Sequence, residues 1–273
     1  MSAPPTSSPF GSPGDWIVLF DGSSTEALRG YGRDEFPADR WVVDDGALRA
    51  IPGLGVDLVS RETYADFELE FEWKVAPGGN SGVIDRVAET GDPAWATGPE
   101  YQVLDDEAHP DGRDPRASAG ALYGLRAPGP TKRLEPVGGF NRGRIVVRDG
   151  HVEHWLNGEL VVEYEWDGAE IRAEIDRSKF AGLAGFMRQA SGHIAFQHHG
   201  EEAWLRAMRT ARSTARPASH GSAPPATGRP APPATLVSWP NAIRTTCSAC
   251  SAAPARLRSR PPGAVLPAST TPT

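Results

Sequence analysis

The chain has 273 residues, 39% of them hydrophobic, which is enough to bury a sizeable core in one domain or two. All 35 acidic residues lie at or before Glu202, whereas residues 207–273 contain none, with no lysine, eight arginines and 12 of the 26 prolines; the first 206 residues set 20 basic groups against those 35 acids, a net −15. So acidic a globular part repels phosphate, which argues against nucleic acid and anionic membrane as partners and leaves neutral or cationic small molecules.

The first 14 residues are rich in Pro, Ser and Gly, with neither a basic start nor an apolar centre. They are unlike a secretory signal, no run is long enough to span a bilayer, and cytoplasmic is the expected location. Cys247 and Cys250 form a lone CxxC in the tail, short of the four ligands of a zinc site and outside any βαβ context.

Residues 15–20 read as a first buried strand that stops at Asp21-Gly22, and Trp41 to Ala50 reads as a hairpin turning on Asp45-Gly46. From Asp66 to Val75 the alternation is strict. Phe67, Leu69, Phe71, Trp73 and Val75 face a core, while Glu68, Glu70, Glu72 and Lys74 face water. Along Gly78 to Val87, Asn80, Gly82 and Arg86 share one face, and a glycine in the polar face of a strand makes room for something.

Residues 95–112 gather functional side chains within a β-rich run. Glu100 and Gln102 share one face, and a β-bulge near Val103 and Leu104 is expected to return Asp105 to it. Two carboxyl groups in a row, one able to hold a proton and one ionised, are what the cleavage of a glycosidic bond needs. His109 follows on a Pro-Asp-Gly turn; a solvated edge strand leading into an acidic loop is the plainer reading of the same stretch.

Residues 113–139 read as a proline-punctuated loop able to overhang the Glu100 strand. Asn141 to Trp166 is a three-strand meander on Asp149-Gly150 and Asn157-Gly158. One of its faces holds Ile145, Val147, Val152, His154, Leu156 and Val161; the other holds Arg148, His151, Glu153, Trp155, Leu160 and Tyr164, a surface of the kind that stacks on sugar rings. Ile171 and Ile175 mark a short helix. In the strand from Gly192 to Gly200, His193, Gln197 and His199 fall on one polar face, as in a site or a metal position. A Walker loop, a GxGxxG after a strand, a GxSxG elbow and an HExxH are all missing, which disfavours nucleotide-dependent and triad chemistry.

Many short strands on Gly, Asp-Gly and Asn-Gly turns, with almost no helix, predict an all-β jelly-roll sandwich of two antiparallel sheets. The phrases Leu19-Phe20-Asp21-Gly22, Asp66-Phe67-Glu68-Leu69, Gly79-Asn80-Ser81-Gly82, Glu100-Tyr101-Gln102-Val103-Leu104-Asp105, His109-Pro110, Glu153-His154-Trp155-Leu156-Asn157-Gly158, Ser178-Lys179-Phe180 and Gly192-His193-Ile194 closely resemble the 3-keto-disaccharide hydrolase family. That family, formerly a domain of unknown function, has the concanavalin A-like lectin/glucanase fold. The resemblance runs from about residue 15 to 206. It implies a hydrolase of 3-keto-glycosides, with Glu100 and Asp105 as proton-transfer groups, His109 or His199 polarising the ketone, and Asn80, Arg86, Gln102, Trp155 and Gln197 holding the sugar. No cofactor is assigned, a divalent metal on the histidines stays open, and the oligomeric state is undetermined.

The Glu100-x-Gln102-x-x-Asp105 spacing also resembles the bulged catalytic strand of glucanases with this fold, in which the middle residue is Asp and the last Glu. Because Gln102 cannot ionise, the spacing argues against a double displacement. A ketone at C3 offers elimination through a C2–C3 enolate followed by hydration. The chain departs from the resemblance where the family has Gln-Asp-His-Gly and this sequence reads Gln197-His198-His199-Gly200. It departs again where the last strand should finish, since Leu205 to Thr210 drops the alternation and runs into an acid-free tail. Residues 207–273 are accordingly expected to be disordered, and a change of reading frame or a replaced tail is the origin this suggests, which would leave part of the closing strand missing. Two rivals share the fold: a sugar-binding module without turnover, and an interaction domain with a vestigial site.

Overall fold

The computed structural model describes residues 16–53 and 55–212. The thirteen strands are β1 (Ile17–Phe20), β2 (Leu28–Gly30), β3 (Trp41–Asp44), β4 (Ala47–Ala50), β5 (Leu58–Tyr64), β6 (Phe67–Val75), β7 (Asn80–Val87), β8 (Glu100–Leu104), β9 (Asn141–Arg148), β10 (His151–Leu156), β11 (Glu159–Glu165), β12 (Gly192–Phe196) and β13 (Ala203–Arg212). Among the described residues the one α-helix, α1 (Ala169–Asp176), turns Ile171 and Ile175 inward as expected. The larger sheet runs β11-β10-β9-β6-β13-β4-β3, with β1 also pairing β13; the smaller runs β2-β5-β12-β7-β8, and every pairing is antiparallel. This is the predicted two-sheet sandwich.

Local chemistry explains the pairing. Asp45, Asp149 and Asn157 adopt φ near +50° and each is followed by a positive-φ glycine, which gives two-residue turns whose twist matches that of the flanking strands. The inward residues of β6 are all buried against the smaller sheet's Val83, Tyr101, Val103, Ile194 and Phe196. The outward glutamates do more than meet water. Glu68, Glu70 and Glu72 reach across strands to Arg144, Arg209 and Arg206 at 2.6–2.8 Å.

Three expectations are corrected by bulges. In β13 the chain kinks at Ala207, at φ 49°, and the register with β6 shifts between Arg206 and Arg209. The extra residue moves the inward positions from every second to Leu205, Met208 and Thr210, all buried, so the closing strand is complete through Arg212 and residues 207–212 are ordered in the sheet. The remainder of the tail, with Cys247 and Cys250, lies outside the described residues. A second bulge, between His154 and Trp155 opposite β11, puts Val161 and Val162 both into the core and carries Tyr164 inward with them, away from the face where it was expected.

The third correction concerns β8. Its register with β7 is unbroken from Ile84↔Glu100 to Asn80↔Leu104, so the bulge expected near Val103 and Leu104 is absent from the ladder. A bulge sits in β7 instead. β12 advances from His193 to Ala195 while β7 advances from Val87 to Ile84, and Arg86 takes φ 51°. Part of the loop after β8 pairs with the strand. Residues 120–123 run along its free edge, with Gly120 donating to the Gln102 carbonyl, Gln102 to the Ala121 carbonyl and Tyr123 to the Glu100 carbonyl. An edge that would invite a second chain is thereby sealed. Among the described residues no helix is long and apolar enough to cross a membrane.

Candidate active site on the outer face of the smaller sheet

Ladder parity sorts β7 and β8. Val83, Tyr101 and Val103 enter the main core; Asn80, Gly82, Gln102 and Glu100 turn to the opposite face of the sheet. Gln197 joins them from the end of β12, where its N–H donates to the Gly82 carbonyl at 2.8 Å and its carbonyl accepts from the Ser81 hydroxyl.

Gly82 makes the site possible. A Cβ there would lie 2.2 Å from Oε1 of Glu100, so the carboxyl occupies the space that any other residue would fill with its own side chain. Four side chains meet on this floor with polar atoms that have no protein partner: Asn80 Oδ1, Glu100 Oε2, both ends of the Gln102 amide, and Gln197 Oε1. Buried polar atoms are costly to leave unpaired, and a cluster of them on one face fits a polar ligand with several hydroxyls.

Burial pushes the Glu100 carboxyl up to about 8; the negative charges of Asp57 and Asp111 add to the shift and Lys179 opposes it. Asp57, just before β5, is pushed up to about 6 by burial, against the pull of the His198 N–H (2.8 Å) and the charge of His199. The two neighbouring carboxyls thus separate around neutral pH, where one holds a proton and the other does not.

Asp105 has a different task. Its Oδ2 accepts the Gly78 N–H at 2.7 Å and its Oδ1 accepts those of Glu107 and Ala108 at 3.1 and 3.2 Å. Burial works against its charge, yet these N–H groups and nearby His109 hold the carboxyl below the usual range. It leaves the strand to pin the turns at either side. It does not sit in a row with Glu100.

His109 and His199 come together with ring centroids 6.1 Å apart, and with Glu201 they offer one ligand atom each within 4.8 Å of one another. The spacing suits a divalent ion, but the hydrogen bonds do not. Nδ1 of His109 accepts the Asp111 N–H at 3.1 Å, so its proton belongs on Nε2. Coordination through Nε2 would set an Nδ1–H against that N–H, whereas metal-binding histidines ordinarily donate from the other nitrogen. As bonded here, His109 therefore does not present Nε2 to a metal, which leaves the cluster short of a ligand.

The remaining expected site residues lie elsewhere. His193, at the start of β12, is held by the Ser60 carbonyl at 2.7 Å beside Arg29 and Glu89, whereas His199 lies past the end of that strand with His109 and Glu201. Arg86, turned by its own bulge, stacks on Trp166 at 3.9 Å with Asp85 and Asp66 each 3.9 Å away. Trp155 lies on the outer face of the larger sheet, bonded to Glu153 and stacked by Arg144, across the sandwich from Glu100. His198 packs inward on Trp41 and the Ile51 carbonyl.

Sequence reasoning missed Asp57, Lys179 and Glu201. Lys179 stands within the Ser178-Lys179-Phe180 phrase and was within reach. Asp57 precedes a plain apolar strand and gave no signal.

The chain matches the 3-keto-alpha-glucoside-1,2-lyase-like domain family over residues 15–210. It is 32% identical over 225 residues, covering 71% of this chain and 77% of the other, to a 3-keto-disaccharide hydrolase of Bacteroides thetaiotaomicron. Two solved structures of candidate glycosyl hydrolases from Parabacteroides distasonis are similar. One has 25% identity and a TM-score of 0.67 over 73% of this chain and 94% of its own; the other has 26% and 0.57 over 72% and 99%. With this breadth of match, the chain belongs to the 3-keto-alpha-glucoside-1,2-lyase-like domain family and is a glycoside hydrolase-like enzyme.

Proposed function

We propose that the protein cleaves 3-keto-glycosides, with Glu100 as the general acid and Asp57, in place of Asp105, as the base. The observation that carries this reading is the pair of neighbouring carboxyls shifted apart, to about 8 and about 6, over a floor of unpartnered Asn80, Gln102 and Gln197 amides. At neutral pH Asp57 is ionised and Glu100 protonated. A ketone at C3 acidifies the C2 hydrogen, so the carboxylate takes that proton and the electron pair forms the C2–C3 enolate. Collapse of the enolate expels the C1 oxygen, which leaves with the Glu100 proton. Water then adds across the resulting double bond. The amides hold the ring hydroxyls and fix its orientation.

The test is turnover of 3-keto-trehalose or a 3-keto-glucoside. A bell-shaped rate profile is expected, with limbs at about 6 and about 8 from the two carboxyls, and solvent deuterium should appear at C2. Tight binding without cleavage would make the protein a sugar-binding module. Cleavage with neither C2 exchange nor a C2–H isotope effect would leave a glycosidase that works by direct displacement.

A further inference from the structure

His109, in the loop after β8, and His199, beyond β12, are each tied at Nδ1, in opposite senses. Nδ1 of His109 accepts the backbone N–H of Asp111. A nitrogen that accepts carries no proton, so the neutral ring bears it on Nε2 and presents a donor. Nδ1 of His199 lies 2.7 Å from Oε2 of Glu201. An ionised carboxylate only accepts, so here Nδ1 carries the proton and Nε2 presents a lone pair. The rings meet edge-on and no hydrogen bond joins them, so each keeps its free nitrogen for a ligand. The His199 side chain is 43% exposed and open to substrate or water.

We propose that the Asp111 backbone and the Glu201 carboxylate lock His109 and His199 in opposite tautomers, His109 donating to the substrate's C3 oxygen and His199 accepting a proton from the water that adds at C1. Glu201 is then a positioning residue. The division rests on the 3-keto-glycoside reading above. In the hydration half, the water oxygen bonds to C1 while one of its protons passes to Nε2 of His199. The C1–C2 electron pair shifts to the enolate whose oxygen His109 holds, and a proton returns to C2; the net change is one water added. Three groups bear on His199: Asp57 from the smaller sheet, His109 from the loop after β8, and Glu201. His109 meets Asp105, Asp111 and His199. A fixed donor beside a fixed acceptor is what lets one small site hold an oxyanion and deprotonate a water without exchanging the two roles.

Long-range ¹H–¹⁵N spectra of the full chain read both tautomers directly at about pH 8.5, above the ordinary histidine range. His109→Gln and His199→Gln supply the assignments. The expected result is Nε2–H on His109 and Nδ1–H on His199. Glu201→Ala should move only His199 toward its other tautomer, while Glu201→Gln, whose amide oxygen still accepts, should hold it. In Glu201→Ala the hydration half should slow about tenfold or more relative to elimination, so an unsaturated ketone absorbing in the ultraviolet builds up; a merely structural role would slow both halves alike. Like tautomers on the two rings, or a stoichiometric response of both to Zn²⁺, would overturn the proposal in favour of a plain polar cluster or a metal centre. Opposite tautomers in a protein that turns over no 3-keto-glycoside would refute the substrate roles and the functional reading, while the tautomer lock itself would stand.

Discussion

Replacing Gly82 by alanine tests whether the position of the Glu100 carboxyl sets the rate. The added Cβ would lie 2.2 Å from Oε1, and ordinary contact begins near 3.4 Å, so the carboxyl must retreat by about 1.2 Å. The atoms in the way, Oε1 with Cδ at 2.7 Å and Cγ at 2.8 Å, all belong to one side chain with rotatable bonds, and no backbone atom is among them. The stability cost should therefore stay at the low end for overpacking, about 1 kcal/mol. Catalysis is less forgiving, because a misplacement of about 1 Å can cost about 10²-fold. The expectation is a Gly82→Ala protein that melts close to wild type and turns over a 3-keto-glucoside about 100-fold more slowly, mostly through kcat. Steady-state kinetics beside calorimetric melting separates the two effects. Wild-type kcat in a folded variant would refute the reasoning, since it would mean that Glu100 can leave its seat without consequence.

Glu100→Gln keeps the volume and removes the proton, so kcat should fall about 10²- to 10⁴-fold. The same variant tests linkage. With its carboxyl pushed from 4.5 up to about 8, the folded wild type binds more protons than the unfolded chain across that window. Its stability therefore drains as pH rises, by up to ~1.4 kcal/mol per unit, and Glu100→Gln should gain on wild type in melts between pH 5 and pH 9, whereas parallel melting curves would contradict the shift. Asp57→Asn should remove the acid limb near 6 and lower kcat at neutral pH about 10²-fold, as read from the pH–rate profile. Asp105→Ala should act on the fold, at about 2–3 kcal/mol for the three N–H groups it orphans, and a folded Asp105→Ala that loses activity as completely as Glu100→Gln would restore Asp105 to the chemistry.

The parts of the fold governed by local rules were legible in the sequence. Strict alternation gave β6, and Asp-Gly and Asn-Gly placed the hairpins. What escaped was phase. One inserted residue in β7, β11 or β13 changes which face every later side chain occupies, and neither Arg86 nor Ala207 advertises its positive φ. Hence Arg86, Tyr164 and the end of the closing strand were misplaced. In the site, Glu100, Gln102, Asn80 and Gln197 were recoverable because each lies on an unbroken stretch of alternation. Asp57 was hidden because its role arises from a neighbour 43 positions away in sequence that only the sheet brings near.

The kink at Ala207 also bears on how this chain can change over time. Beyond it, β13 meets the core through Met208 and Thr210 alone, and its main-chain pairing to β6 asks nothing of side-chain identity. Arg206 and Arg209 need only find the glutamates that β6 already offers. A closing strand specified by so few side chains tolerates rewriting: almost any segment with two inward-facing residues at the right interval could close the sheet. Mutational drift, even wholesale exchange of the residues that follow, can thus reach the last strand without touching the carboxyls on the opposite sheet.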